Sequence, residues 1–221
     1  MSSRILAKLF SGRLHYAWIV LGVMFCSTLV GMGVRSAPGV IIVPLQRAFG
    51  WDIATVSGAV SLNILLLGLL SPVMAALLDG FGLKRTLLVC LGLMLAGTVL
   101  SGFMTQAWQL YATWGVMVGV GSSAGAIGMA TAVVNRWFVS RRGVAIGIMI
   151  SANAAGQLIF LPLLADLSSR YGWQAVSFTV SAAIAMLIPA LMILLPESPD
   201  RIGLRPYGAL GPTPERGPAS C

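Results

Sequence analysis

A single arginine, Arg35, sits inside an apolar run that extends from Tyr16 to Val43. A guanidinium among aliphatic side chains has two uses. It can hold a carboxylate through paired N–H donors, or it can stretch along its own methylenes until its head reaches water. At ~1.5 Å per helical residue, Arg35 lies about 12 Å from Val43, so both uses stay open. Pro38 and Gly39 are expected to break the helix just above it. Asn153 and Gln157 stand one helical turn apart in another apolar run and share a face; Asn63 lies in a third. Amides surrounded by lipid need partners. These three either line a cavity beside Arg35 or hydrogen-bond between helices.

Catalytic constellations are missing from the sequence. His15 is the only histidine and precedes the first apolar run. Zinc-protease spacing, a nucleophile elbow and a phosphate-cradling lysine loop do not occur. An enzyme is not expected, nor is a cofactor or a metal. Cys26, Cys90 and Cys221 form no C-x-x-C pair and no disulfide framework.

The elements that must position these residues are long and greasy. Of 221 residues, 57% are hydrophobic and 9% charged, and the mean hydropathy is +0.91. A water-facing domain carries about 25% charged residues. A bilayer core takes roughly 20 apolar residues to cross. Six runs qualify: Tyr16–Val43, Val56–Leu78, Thr86–Met104, Leu110–Val134, Val144–Leu164 and Val176–Leu195. The sequence therefore predicts an all-α membrane protein with six transmembrane helices in residues 16–195. Residues 1–15 are expected to be a cytoplasmic segment. Residues 196–221, rich in Pro, Gly and charge, are expected to be a disordered cytoplasmic tail or linker. The first run lacks a small-residue cleavage site followed by soluble sequence, so no cleavable signal is expected.

The net charge of +8 would suit nucleic acid only if it formed a stripe or groove. Here the basic residues occupy short gaps between apolar runs. With the N-terminus inside, Arg4, Lys8, Arg13, Lys84, Arg85, Arg136, Arg141, Arg142, Arg201, Arg205 and Arg216 lie inside, and only Arg47 and Arg170 lie outside. This asymmetry predicts both termini in the cytoplasm. Trp51, Trp108 and Trp173 fall at the outer starts of the even-numbered runs, and Tyr16, Trp18 and Trp137 at the inner boundary, as an interfacial belt would. Phe49-Gly50-Trp51 and Tyr171-Gly172-Trp173 hint at an internal repeat, as do Asp79 and Asp166, each ending a helix. A three-plus-three repeat is a known transporter architecture.

The gap after the second run reads Ala75-Ala76-Leu77-Leu78-Asp79-Gly80-Phe81-Gly82-Leu83-Lys84-Arg85. It resembles the cytoplasmic signature of the major facilitator superfamily, Gly-x-x-x-Asp-Arg-x-Gly-x-Arg-Arg. Asp79, Gly82, Lys84 and Arg85 match, whereas Ala75 and Gly80 depart. Gly82 permits a tight turn. Asp79 sits unfavourably at the C-terminal end of its own helix and needs another partner. The resemblance implies that partner: Arg136, with a helix N-terminus from a second six-helix half, closing the cytoplasmic side of the outward-open state.

Further stretches narrow the resemblance. Arg35-Ser36-Ala37-Pro38-Gly39, Pro44-Leu45, Asn135-Arg136-Trp137-Phe138, Arg141-Arg142-Gly143 and Gly203-Leu204-Arg205-Pro206 together resemble bacterial facilitators of the monocarboxylate and oxalate–formate type, over nearly all of residues 16–207. That implies secondary transport of a small organic anion across a bacterial inner membrane, coupled to a proton or an exchanged anion. It also implies a basic residue near Arg35 on the first helix. Proton-coupled sugar and drug facilitators often carry an arginine where this chain has Gly115. Gly115, Gly119, Gly121, Gly125 and Gly128 read as close helix packing. Ser122, Ser123 and Thr131 can bond to helix carbonyls.

The resemblance covers one half of a twelve-helix carrier. Three expectations follow: a fragment or truncated frame, a chain that pairs with itself or a separate second half, or a non-transporting remnant or accessory membrane subunit.

Overall fold

A computed structural model describes residues 16–123, 134, 135, 137–194 and 207, with Ala75, Leu78 and Asp79 described as backbone only. Among the described residues six helices are seen. They are α1 (Tyr16–Phe49), α2 (Ile53–Phe81), α3 (Leu83–Ser101), α4, α5 (Arg142–Tyr171) and α6 (Trp173–Leu194). α4 is composite: Ala107–Leu110 and Gly119–Ser123 are α-helical, and Tyr111–Val118 between them is a π-helix. Among the described residues, all but α4 are long and apolar enough to cross a membrane.

Chain reversals are abrupt because glycine makes them. A single residue, Gly82 (φ +87°, ψ 152°), separates α2 from α3. Gly172 (φ +83°, ψ 177°) does the same between α5 and α6. Both lie in a backbone region that is almost exclusively glycine's. The turn expected at Gly82 is thus as tight as a helix reversal can be.

The helices alternate in direction. Tyr16 Oη at the start of α1 donates to the Leu194 carbonyl at the end of α6 at 2.8 Å. Lys84 Nζ at the start of α3 donates to Met192 O on the same end of α6. At the opposite end Phe49 stacks on Trp51 at 4.6 Å and touches Trp173 at 5.8 Å. The first end carries Lys84, Arg85, Arg141 and Arg142 and is called the basic end below. The other carries Arg47, Asp52, Asp166 and Arg170.

The main pairings are α1 with α5 and α6, α4 with α2 and α3, and α3 with α6. Exchanging 1 with 4, 2 with 5 and 3 with 6 maps this set onto itself, as a three-plus-three arrangement would. In that exchange Gly82 corresponds to Gly172. The sequence comparison of Phe49-Gly50-Trp51 with Tyr171-Gly172-Trp173 therefore joins turns that are not equivalent.

Several expectations change. Pro38 and Gly39 do not end α1; the helix continues through Pro38 and Pro44 to Phe49. Proline is tolerated where neighbouring helices re-satisfy the freed backbone. Asp166 lies a turn before the end of α5, where its Oδ1 accepts from Arg170 Nε at 2.8 Å. Asp79 likewise precedes the last residue of α2. The belt is only partly a belt. Trp108 is exposed, but Tyr16, Trp137 and Trp173 are buried in the core and act as packing groups. Tyr207, within the segment expected to be disordered, is packed against the bundle.

One polar seam went unforeseen. Ser181 Oγ donates to Thr98 Oγ1 at 2.9 Å, and Ser101 Oγ to Ser177 Oγ at 3.2 Å, all four residues buried between α3 and α6. Small hydroxyl residues let helices approach and then bond across the gap.

Candidate functional site

Arg35, Asn63, Asn153 and Gln157 come from three helices and line one cavity of about 260 Å³. Liquid water occupies ~30 Å³ per molecule, so the space suits several waters or one small organic acid. Ser36, Val34, Pro38, Val60 and Trp114 complete much of the wall.

Three helix approaches make this convergence possible. α1 and α5 pack closely at Gly156, where an added Cβ would stand 2.7 Å from Met32 Cβ and 2.9 Å from Leu29 O. Gly33 on α1 lies similarly tight against the Phe160 ring. α2 and α4 approach at Gly119, whose Cβ would meet Asn63 Cα at 3.2 Å. Gly115 packs on Leu62 of α2 and Gly121 on Met94 of α3. Gly125, Gly128 and Thr131 lie outside the described residues. Ser122 and Ser123 donate to Gly119 O and Val120 O, within their own helix.

The longer helix also changes where Arg35 stands along it. Measured from the Phe49 end of α1, Arg35 lies about 21 Å in, against 12 Å expected from the apolar run alone. Gln157 lies about 21 Å from the Tyr171 end of α5, at the same level. Both residues thus stand near the middle of their helices. The Arg35 side chain is exposed to the cavity. Among the described residues no carboxylate pairs with Arg35.

The amides differ in their freedom. Asn63 Nδ2 donates to the Trp114 carbonyl at 2.7 Å. That is the interhelical bond expected as one alternative, and it leaves Oδ1 and one N–H uncommitted. Gln157 Nε2 makes only a weak contact to Met32 Sδ at 4.0 Å. Asn153 is half-buried. Pro38 has no N–H to give the Val34 carbonyl one turn back, and both residues line the cavity. Trp114 adds a feature that periodicity did not suggest. Its indole N–H is buried without a hydrogen-bond partner among the described residues. A tryptophan well inside an apolar run, away from either belt position, was the available signal. π-helical turns such as Tyr111–Val118 are frequent at functional sites.

The signature loop is partly in view. Gly82 makes the turn, Lys84 caps the end of α6, and Arg85 is exposed at the basic end. The Asp79 side chain and all of Arg136 lie outside the described residues, so the pairing between them does too.

A family model of the Major Facilitator Superfamily matches residues 23–217. An uncharacterized transporter, ESBP6, of Saccharomyces cerevisiae is 31% identical over 86% of this chain and 29% of its own length. Monocarboxylate transporter 13 of Bos taurus is 30% identical over 83% of this chain and 43% of its own. An uncharacterized MFS-type transporter, YcxA, of Bacillus subtilis is 25% identical over 82% and 45%. The chain spans less than half the length of these relatives. Apolar helices packed in alternating directions, a glycine reversal before Lys84-Arg85 and a match over most of its length lead to one assignment: this multi-pass membrane protein belongs to the Major Facilitator Superfamily.

Proposed function

We propose that the chain forms the N-terminal half of a secondary transporter that moves a small organic anion, a carboxylate, across the bilayer by alternating access. Six transmembrane helices carry it, with both termini in the cytoplasm of a cell whose inner membrane holds it. A second six-helix half, from the same gene or another chain, closes the cavity. A proton or an exchanged anion drives the cycle.

The observation that supports this reading is the placement of Arg35. A guanidinium near the middle of α1, without a carboxylate partner among the described residues, faces a cavity whose other polar groups are neutral. Intramembrane charge marks substrate pathways by default, and the fork of arginine fits a carboxylate through two parallel bonds. Gln157 and Asn153 supply neutral donors that hold the anion without binding it too tightly to leave. Monocarboxylate transporters among the relatives, including those from Bos taurus and Mus musculus, favour the same class. Asp79 with Arg136 acts as the cytoplasmic latch, loosening when the two halves rock.

The test is uptake of labelled acetate, pyruvate and oxalate into vesicles carrying the intact transporter, wild type against Arg35→Ala. Hydrogen bonds to charged groups contribute about 1.5–3 kcal/mol, so uptake at low concentration should fall at least tenfold. Uptake unchanged by the substitution removes Arg35 from the site.

A further inference from the structure

Tyr207 lies thirteen positions beyond the end of α6, yet it is docked at the basic end against α1 and the connection that precedes α5. Its N–H donates to Trp137 O at 2.8 Å. Its carbonyl accepts from Val139 N at 2.9 Å and Ser140 N at 3.0 Å. The residue thus pairs in parallel with Phe138, as one rung of a strand ladder. Its ring meets Phe138 at 5.9 Å and Trp18 at 6.1 Å, and those two rings meet each other edge-on at 5.5 Å. Main-chain pairing with a side-chain pocket beside it is how extended peptides are recognised by strand addition.

The groove is firmly built. Phe138 is buried, and its carbonyl accepts from Arg142 Nε at 2.6 Å. Trp137 packs on Tyr16, whose hydroxyl holds the last turn of α6. Arg141, immediately after the paired residues, has φ +58°, a left-handed conformation uncommon outside glycine, asparagine and aspartate. The connection is held in shape by the residues around it.

We propose that Tyr207 is a clasp: an anchoring residue that binds the groove of Trp18, Phe138 and the 137–140 backbone, and so fixes the point from which the following chain departs. Unanchored, a thirteen-residue tether from Leu194 has a root-mean-square reach of about 20 Å. Anchored, the chain beyond Tyr207 starts beside α1 and α5 at one place. Effective concentration between tethered units depends on where the free tether begins, so the clasp sets the geometry of whatever the chain leads to. The proposal stands whether or not the cavity carries a carboxylate.

Amide hydrogen exchange on the full chain in lipid nanodiscs tests it. In wild type, Val139 and Ser140 amides should be protected, because Tyr207 O accepts both. In Tyr207→Ala their exchange should rise about tenfold or more, while the buried turn Val20–Met24 of α1 keeps its rate. Tyr207→Leu, which keeps apolar bulk, is the second variant and should shift in the same direction as alanine. Solvent-rate exchange at Val139 and Ser140 in wild type overturns the clasp, as does unchanged protection in Tyr207→Ala or Tyr207→Leu.

Discussion

Asn63 Nδ2 on α2 reaches the Trp114 carbonyl on α4 at 2.7 Å, inside the π-helical stretch of α4. The wider π turn presents a carbonyl to a neighbouring helix, and Gly119 one turn on lets α2 come close enough to use it. A residue that looks like a substrate contact in the sequence is therefore also a strut. Its donor is committed, and only its remaining amide atoms are left for the cavity.

Replacing Asn63 should separate those two roles. Asn63→Leu removes the strut and should lower stability by roughly 0.6–1.7 kcal/mol, the range for interhelical hydrogen bonds in membranes. Asn63→Asp loses the same donor and adds a negative charge to the cavity with Arg35. Thermal unfolding in detergent measures the first effect. Weaker carboxylate binding by the aspartate variant than by the leucine variant measures the second.

Arg35→Lys distinguishes a bidentate grip from a simple charge. Lysine keeps the charge but not the planar fork. If two parallel bonds hold the anion, affinity should fall severalfold for lysine and further for alanine. Equal binding by arginine and lysine would mean that only charge matters. Isotherms with labelled pyruvate at fixed ionic strength decide it.

Gly82→Ala and Gly172→Ala should each destabilise the bundle by roughly 1–3 kcal/mol, because each forces a side chain into a backbone region that essentially only glycine occupies. Their φ values, +87° and +83°, match closely, so the two costs should be similar. Space is open around Gly172, within 4 Å of an added Cβ, which assigns that loss to backbone strain. Urea or thermal melts compare them.

Gly156→Ala should cost about 1–3 kcal/mol for a different reason, overpacking. Its Cβ would press on Met32 Cβ and Leu29 O of α1. Because this crossing sets Arg35 beside Gln157, carboxylate binding should weaken together with stability. A Gly156→Ala protein that binds normally would uncouple the helix crossing from the cavity.

The Lys84-Arg85 turn should face the cytoplasm. A membrane-impermeant amine reagent applied to intact cells should leave Lys84 unmodified, and modify it after the membrane is opened. Modification from outside would reverse the orientation.

Sequence by itself determined that helices form and roughly where they turn. Lipid offers no partner to a free backbone group, so an apolar run of sufficient length has to satisfy its hydrogen bonds internally. That requirement is local and readable from Ile53–Phe81 or Trp173–Leu194 alone. Gly82 was legible for the same reason, since its freedom is its own. What only the tertiary structure decided is which faces meet. Lipid is as apolar as the interior of the bundle, so no strong stripe marks the inward face of α1 or α5. The convergence of Arg35, Asn63, Asn153 and Gln157, the passage of α1 through Pro38 and Pro44, and the buried places of Trp114 and Trp137 all depend on neighbours distant in the chain. Tyr207 shows this most sharply: nothing next to it in sequence predicts order, and its partners are Trp18, Trp137, Phe138, Val139 and Ser140, which only folding brings together.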